Sequence, residues 1–258
     1  MKAAGARLVA AVRLRRFGAL IGLVLLLAPA AGAEAPADAA ADAVVLDAFA
    51  KIAFGNEYVA EPDPRLQKWA QPIRWRSYEY LPLDEKERAF LEAHMARLAR
   101  LTGLEITPAA SWPEANFVVL FVSEDRYRAT IERYVARSRR HLLPRFVTTA
   151  CLGLLRHDRV TFEIEDAVAI IPLDRARARG LATSCIAEET TQVLGLLNDS
   201  DDVPGSLFND QGAARNLTPL DELMLRLLYH PRLRAGMRRP EALEIAREVL
   251  PALRAAGR

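Results

Sequence analysis

The alternation of hydrophobic and polar residues along the chain predicts helices and strands in an interleaved order. Apolar residues that recur with helical spacing indicate amphipathic helices, whereas alternating or short continuous apolar runs indicate strands. Helices are predicted over residues 44–54, 84–103, 124–140, 183–197, 217–229 and 240–255. Strands are predicted over residues 73–78, 104–107, 116–122, 151–155, 160–164 and 167–171. Because both kinds of element mix without an internal repeat or a low-complexity linker, we expect one α+β domain.

Specific residues mark the ends of two predicted helices and the burial of one strand. Asp84 precedes an apolar stripe of helical spacing and Gly103 follows it, as expected for helix-capping residues. Thr218 and Pro219 mark the start of another helix in a similar way. The uninterrupted apolar run over residues 116–122 is typical of a central strand that is covered on both faces.

The first 33 residues differ from the rest of the chain in composition. They contain five basic residues and no acidic residue, then an apolar run over residues 18–28 and the segment Ala31-Gly-Ala33. This pattern predicts a secretory signal peptide over residues 1–33, cleaved before Glu34, and hence a periplasmic or secreted protein. The apolar run is short for a membrane span, so we expect no stable span after cleavage. An uncleaved N-terminal anchor is the alternative.

Without this segment the chain is close to electrically neutral. The full sequence has 35 basic and 33 acidic residues, so the loss of five basic residues makes the net charge slightly negative. We therefore expect no nucleic-acid partner, because domains that bind nucleic acid carry clustered positive charge. After the signal peptide, residues 34–64 are expected to form a leader and an N-terminal helix, and residues 65–258 a single domain.

Two cysteines remain after the signal peptide, Cys151 and Cys185. An even number of cysteines in an exported protein favours a disulfide. A cysteine nucleophile is the alternative, but no histidine motif accompanies either residue.

The strongest candidate for chemistry lies in the predicted helix over residues 183–197. Glu188 and Gln192 are four residues apart and therefore lie on one helix face, with Glu189 one position round. Two metal ligands at this spacing, with a glutamate base between them, form the core of a zinc hydrolase site. Here both ligand positions lack histidine, whereas the position of the base keeps a glutamate.

The residues after this helix extend the pattern. Gly195 provides a position at which the chain can turn, and Asn198 and Asp199 follow. Asn198 stands where a third histidine would lie in a zinc enzyme of this plan. Oxygen-bearing side chains suit Ca²⁺ or Mg²⁺ better than zinc. We therefore assign no metal ligand and no cofactor, and a hard cation stays the alternative.

The order of these residues resembles the H-E-x-x-H-x-x-G-x-x-H plan of the metzincin metalloproteases. The corresponding segment is Glu188-Glu189-Thr-Thr-Gln192-Val-Leu-Gly195-Leu-Leu-Asn198. Ser206-Leu-Phe208 stands where metzincins have a methionine turn, and a residue at the position of Tyr229, at the end of a later helix, lies near the cleft in such folds. The resemblance implies a zincin-like α+β fold. Its mixed twisted sheet would have an antiparallel edge strand, an active-site helix beneath it and a helical C-terminal lobe.

A closer resemblance is to an uncharacterised family of exported bacterial proteins, known only as a domain of unknown function. Its members have a C-I-x-E-E-x-x-Q-x-L-G-L-x-N-D block, to which residues 185–199 are similar. They also have S-x-F-N-D and L-T-x-x-D-x-x-L-x-x-L-Y, to which residues 206–210 and 217–229 are similar. This resemblance covers residues 72–237 and implies no known activity.

The first functional hypothesis is a metzincin-like scaffold that has lost its zinc. It would hold an extended peptide or another cell-envelope ligand along the edge strand by main-chain pairing. Its binding residues would be Asn198, Asp199, Phe208 and Tyr229.

The alternative hypothesis is an atypical, peptidase-like hydrolase. Glu189 would act as the general base, and Glu188, Gln192 and Asn198 would orient water or a hard cation.

The two glutamates also have a simpler explanation. If Thr183 and Ser184 begin the helix, Glu188 and Glu189 fall in its first turn, where the helix dipole stabilises acidic side chains by roughly 0.3–1 kcal/mol. Adjacent carboxylates without a basic partner can instead share a proton, with one pKa raised. The four histidines are single in the sequence and are expected at the surface or as caps.

Overall fold

The computed structural model describes residues 35–58 and 64–256. The predicted signal peptide at residues 1–33 lies outside this part of the chain. The described strands are β1 (Ile73–Glu79), β2 (Ile106–Pro108), β3 (Phe117–Val122), β4 (Leu152–His157) and β5 (Ile164–Pro172). The described helices are α1 (Ala35–Phe54), α2 (Glu85–Thr102), α3 (Glu124–Tyr134), α4 (Leu143–Phe146), α5 (Leu173–Ala178), α6 (Ala182–Gln192), α7 (Pro219–Leu228) and α8 (Arg239–Ala256).

The strands form one mixed sheet in the order β2-β1-β3-β5-β4. Neighbouring strands are parallel from β2 to β5, and β4 pairs antiparallel with β5 at the edge of the sheet. The register places Trp75 beside Phe117, and Phe117 beside Ala167. The predicted α+β class and the mixed sheet with an antiparallel edge strand are confirmed.

Strand β3 separates two apolar clusters. Phe117, Val119 and Phe121 face the larger cluster, which also receives side chains from α1, α2, α6, α7 and α8. Leu120 and Val122 face a smaller cluster, to which α3 contributes. The strand is therefore covered on both faces, as its uninterrupted apolar sequence predicts.

The predicted caps of α2 are confirmed. The side chain of Asp84 accepts a hydrogen bond from the backbone N–H of Glu87, and Gly103 ends the helix with a φ of 71°. Such a left-handed residue is favourable for glycine, because glycine has no Cβ.

Several predicted boundaries differ from the structure. The predicted strand over residues 160–164 is largely a turn, because the Asp158 carboxylate accepts backbone hydrogen bonds from Val160 and Thr161 at 2.7 Å each. Helix α3 ends at Tyr134, after which Val135 is extended. Helix α1 begins at Ala35 and not at residue 44.

Helix α6 is shorter than the predicted helix, which extends to residue 197. It ends at Gln192, whose carbonyl accepts a hydrogen bond from the N–H of Gly195 at 2.8 Å. Gly195 has a φ of 114°, and a Cβ at this position would lie 2.1 Å from the carbonyl oxygen of Gln67. The tertiary contact with Gln67 therefore demands a glycine and a turn where local periodicity predicts more helix.

Cys151 and Cys185 form the predicted disulfide, with 5.9 Å between their Cα atoms. The bond joins the residue before β4 to the first turn of α6. A disulfide is compatible with an exported protein. Among the described residues, no helix is both long enough and apolar enough to cross a membrane.

Candidate functional site

One face of helix α6 is packed into the protein interior. Ile186 and Ala187 are fully buried, and the hydroxyls of Thr190 and Thr191 donate hydrogen bonds to backbone carbonyls one turn earlier, at 2.6 Å. On α2, Nε2 of His94 lies 3.2 Å from Oγ1 of Thr191. This packing fixes the rotation of α6 about its axis, and with it the direction in which its glutamates point.

His94 is not the surface or capping residue that the sequence suggests. Its side chain is buried between α2 and α6, where it stacks on Phe90 and contacts Thr191. Burial, with a smaller contribution from the positive charge of Arg97, lowers the pKa of His94 to about 4. At neutral pH this histidine is therefore an uncharged packing residue.

The other face of α6 belongs to a cluster of carboxylates. Carboxylate oxygens of Glu188, Asp199 and Asp210 all lie within 4.8 Å of one another. A carboxylate oxygen of Glu189 lies within the same distance of Glu188. Glu188 and Asp199 are half-buried, Asp210 is exposed and Glu189 is 5% exposed. The cluster, defined as Glu188, Glu189, Asp199 and Asp210, runs from the protein interior to the surface.

The helix dipole does not explain the two glutamates. The first turn of α6 contains no acidic residue, because the helix begins at Ala182. Glu188 and Glu189 therefore lie beyond the turn over which the positive end of the dipole acts. The explanation by helix-end stabilisation is wrong, and the carboxylates must be understood from their tertiary surroundings.

The surroundings of the cluster favour protonated carboxyl groups. Burial, followed by repulsion from Asp210 and Glu57, raises the pKa of Glu188 to about 8. Burial, followed by repulsion from Glu188 and Glu57, raises the pKa of Asp199 to about 9. Burial and then the negative charge of Glu188 also hold the pKa of Glu189 well above its usual range. Glu188, Glu189 and Asp199 thus favour their protonated forms near neutral pH.

Glu189 meets the edge strand at Gly153. Its Oε2 atom is buried and has no hydrogen-bond partner. A Cβ on Gly153 would lie 2.9 Å from this oxygen and 3.1 Å from a methyl carbon of Val193. The absence of a side chain at Gly153 therefore lets β4 approach the carboxyl group closely.

The amides that follow the helix are engaged with neighbouring groups. Nε2 of Gln192 donates a hydrogen bond to Oδ1 of Asp199 at 2.7 Å. Nδ2 of Asn198 donates to the carbonyl of Lys51 in α1 at 3.2 Å. Gln192 therefore positions Asp199, whereas Asn198 ties the loop to α1.

Phe208 lies in the packed core, and Tyr229 lies at the C-terminal end of α7. Phe208 is fully buried, and its carbonyl accepts a hydrogen bond from the N–H of Ser200 at 2.8 Å. The hydroxyl of Tyr229 donates to the carbonyl of Leu194 at 2.8 Å. The roles predicted for these two residues in ligand binding stay predictions.

A buried aspartate, Asp221, organises the turn that carries Phe208. Its carboxylate accepts hydrogen bonds from the hydroxyl of Ser206 at 2.6 Å and from the N–H of Leu207 at 3.0 Å. It also completes the capping box of α7 with Thr218. One carboxylate therefore fixes both the start of α7 and the turn that leads to Asp210.

A cavity of about 60 Å³ lies beside Gln192 and the edge strand. Its walls include Gly153, Leu154 and Leu155 of β4, together with Gln192. The segment after α1 closes another side with Glu57 and Tyr58.

Sequence reasoning missed Glu57, Gly153 and Asp210 as parts of this site. Asp210 had a signal, because it ends the Ser206-Leu-Phe-Asn-Asp210 block that resembles a family motif. Glu57 and Gly153 had none, because their approach to α6 depends on contacts between residues far apart in the chain.

Residues 42–248 match the protein family described as "Protein of unknown function (DUF2927)". A search of curated proteins found no match. The matched region includes the sheet, α6 and every residue of the carboxylate cluster. Because the match covers most of the sequence, the chain belongs to the DUF2927 family of unknown function.

Proposed function

We propose that the protein is an exported, metzincin-like scaffold that binds an extended peptide or another cell-envelope ligand along β4. The observation that carries this proposal is the open edge of β4, which borders the cavity beside Gln192. Within the described residues, β4 pairs with β5 and no strand pairs with its other side. An unpaired edge offers main-chain donors and acceptors to an added strand.

The order of the elements supports a relationship to the metzincins. A strand, a helix and two strands come first, followed by the antiparallel edge strand, an inner strand and the polar helix. The turn that contains Phe208 follows this helix, and Tyr229 follows α7. Fold likeness of this kind leaves the function open, so the function must be argued from the site.

The site does not fit zinc. At the three positions of the metzincin pattern, Gln192 and Asn198 contribute amides whose nitrogens donate to Asp199 and to Lys51. Zinc in proteins prefers histidine, cysteine and carboxylate ligands. Cys151 lies near Glu188 and Glu189, but its sulfur is in the disulfide and provides no thiolate. We therefore derive no zinc-dependent step.

Peptide binding can be tested by amide hydrogen exchange. Immobilised mature protein would be used to enrich binders from a library of random decapeptides, which would then be added to the free protein. We expect the enriched peptides to slow exchange in β4 and to leave β2, the opposite edge strand, unchanged. Failure to enrich peptides, or protection in β2 alone, would contradict the proposal.

A matched pair of variants sharpens this test. Leu155→Glu places a charge on the cavity wall, whereas Val160→Glu places the same charge on a side chain that is 85% exposed and lies beyond β4. We expect Leu155→Glu to abolish peptide-induced protection and Val160→Glu to keep it. Far-UV circular dichroism would show that both variants fold.

A second candidate function, a peptidase-like hydrolase, is favoured by the unpartnered oxygen of Glu189. A carboxyl group whose pKa is raised by burial and by neighbouring charge is suited to proton transfer near neutral pH. In its protonated state Glu189 would act as a general acid. The role of general base would require the deprotonated form.

The hydrolase candidate is tested with Glu189→Gln in a digestion screen of peptides and cell-wall fragments. We expect turnover by the parent protein and its loss in the variant. Glu241→Gln, an exposed site on α8, is the matched control and should keep full turnover. Absence of turnover by the parent, or equal turnover by Glu189→Gln, would reject this candidate and leave peptide binding standing.

A further inference from the structure

We infer that Glu188, Asp199 and Asp210 form a binding site for one calcium ion on the outer face of α6. Helix α6 and two separate turns bring their carboxylate oxygens within 4.8 Å of one another. Calcium binds oxygen ligands at about 2.3–2.6 Å, so two ligands on opposite sides of one ion lie up to about 5 Å apart. The observed spacing therefore lets the three oxygens share one ion.

A second observation is the state of Glu189 behind this group. Its Oε2 atom is buried without a hydrogen-bond partner, and a carboxylate oxygen of Glu189 lies within 4.8 Å of Glu188. A buried polar atom without a partner is costly unless a ligand or an opposite charge compensates it. The unpartnered Oε2 atom of Glu189 points to a missing positive charge near the cluster.

The described part of the protein does not provide that charge as an ion pair. Within residues 35–58 and 64–256, no lysine or arginine forms a salt bridge with Glu188, Asp199 or Asp210. Arg215 acts on Glu188 without forming a salt bridge, and its guanidinium donates to the carbonyls of Gly212 and Ala214.

The ligands are held in place before any ion binds. Gln192 donates a hydrogen bond to Asp199, and Ser200 in the next position donates its N–H to the carbonyl of Phe208. The second turn is fixed by Asp221 through Ser206. These contacts join the two turns, and the exposed position of Asp210 leaves the site open to solvent.

The donor atoms favour a hard cation. Three carboxylates provide oxygen ligands alone, and hard cations such as calcium prefer these. The sequence left a hard cation open with Glu188, Gln192 and either Asn198 or Asp199 as its ligands. The structure instead brings the carboxylates of Asp199 and Asp210 to Glu188, whereas the amide nitrogens of Gln192 and Asn198 donate to Asp199 and to the carbonyl of Lys51. The inference goes beyond peptide binding and does not depend on it.

Isothermal titration calorimetry of the mature protein with CaCl₂, after removal of metal with EGTA, tests the site. We expect one ion per chain with a Kd of about 10⁻⁴–10⁻³ M, the range of extracellular calcium modules, and weaker binding of MgCl₂. Asp199→Asn should weaken calcium binding by about tenfold, because it replaces one of three carboxyl ligands by a neutral amide.

Asp201→Asn is the matched control, since Asp201 is exposed, lies in the same turn and is outside the cluster. It should bind calcium as the parent does. Asp210→Asn tests a second ligand at an exposed position if Asp199→Asn fails to fold. No calcium binding by the parent up to about 10 mM, well beyond that range, would overturn the inference. Equal weakening by Asp201→Asn would also overturn it, because it would show a general charge effect.

Discussion

The two faces of helix α6 differ in how their polar groups are satisfied. On the packed face, apolar side chains are fully buried, the hydroxyls of Thr190 and Thr191 have acceptors, and His94 contacts Thr191. On the acidic face, Glu189 keeps an unpartnered oxygen beside Glu188. The packed face stabilises the fold. On the acidic face the carboxyl groups repel one another, and the packing of the other face offsets this destabilisation. Such local cost is typical of functional sites.

The two faces also differ in the sign of their dependence on pH. The pKa of His94 is lowered, so its neutral form is favoured in the folded protein. The pKa values of Glu188 and Glu189 are raised, so their protonated forms are favoured. The packed face is therefore weakened by acid and the acidic face by alkali. Each of the following changes tests this contrast.

The largest expected effect comes from removing the disulfide that anchors the packed face. Cys151 and Cys185 are separated by 34 positions, and closing a loop of this size stabilises a fold by roughly 4 kcal/mol on the chain-entropy model. The double substitution Cys151→Ala and Cys185→Ala should lower the free energy of unfolding by about this amount in urea denaturation. A loss below about 1 kcal/mol would show that α6 is held by packing alone.

The next largest effect is the loss of folding stability at acidic pH that His94 causes. Its pKa is about 4 when folded and near 6.5 when exposed, so the unfolded chain binds more protons between these values. The stabilisation is complete above pH 6.5 and falls by roughly 3 kcal/mol as the pH decreases to 4. His94→Leu should show a smaller loss over this interval in urea titrations at each pH. An identical loss in both proteins would contradict the assignment.

A smaller effect of opposite sign is expected at Glu189. Its raised pKa means that the folded state binds the proton more tightly, so its contribution to stability is lost as the pH increases from about 4.5 through the folded pKa. Glu189→Gln removes this titration and the repulsion from Glu188. The free energy of unfolding of the variant should exceed that of the parent by at least roughly 1 kcal/mol at pH 8, measured by urea denaturation. A destabilised variant would mean that the carboxylate is already compensated.

The smallest effect is expected at Asp201. Asp201→Asn removes one carboxyl group, as Glu189→Gln does, but Asp201 is exposed and lies outside the cluster. Asp201→Asn should alter the free energy of unfolding by less than about 0.5 kcal/mol between pH 5 and pH 8. If Asp201→Asn raised the free energy of unfolding as much as Glu189→Gln, the effect would come from overall charge. It would then provide no evidence for a difference between the two faces.

Local patterns predicted the elements whose causes are local. The apolar run of β3, the capping of α2 by Asp84 and the start of α7 at Thr218 all depend on residues close together in the chain. The end of α6 was mispredicted because the close approach of Gly195 to Gln67 is a tertiary contact.

The candidate site was predicted only in part, because only some of its residues are close together in the chain. The spacing of Glu188, Glu189 and Gln192 identified the helix, since one helical turn places them together. Asp210 and Glu57 join them through turns and through the end of α1, which no periodicity encodes. The burial of His94 was missed because a single histidine in an amphipathic helix carries no signal for the helix that will cover it.

Gly153 has a consequence for how this strand tolerates substitution. Where β4 meets Glu189 it presents main-chain atoms, and these atoms are the same whatever side chains the neighbouring positions carry. Substitutions at Leu154 or Arg156 therefore leave the backbone surface beside the carboxyl group in place. A single added methyl group at position 153 would reach Oε2 directly. Adjacent residues of β4 therefore differ in whether a substitution would disturb the surface beside Glu189.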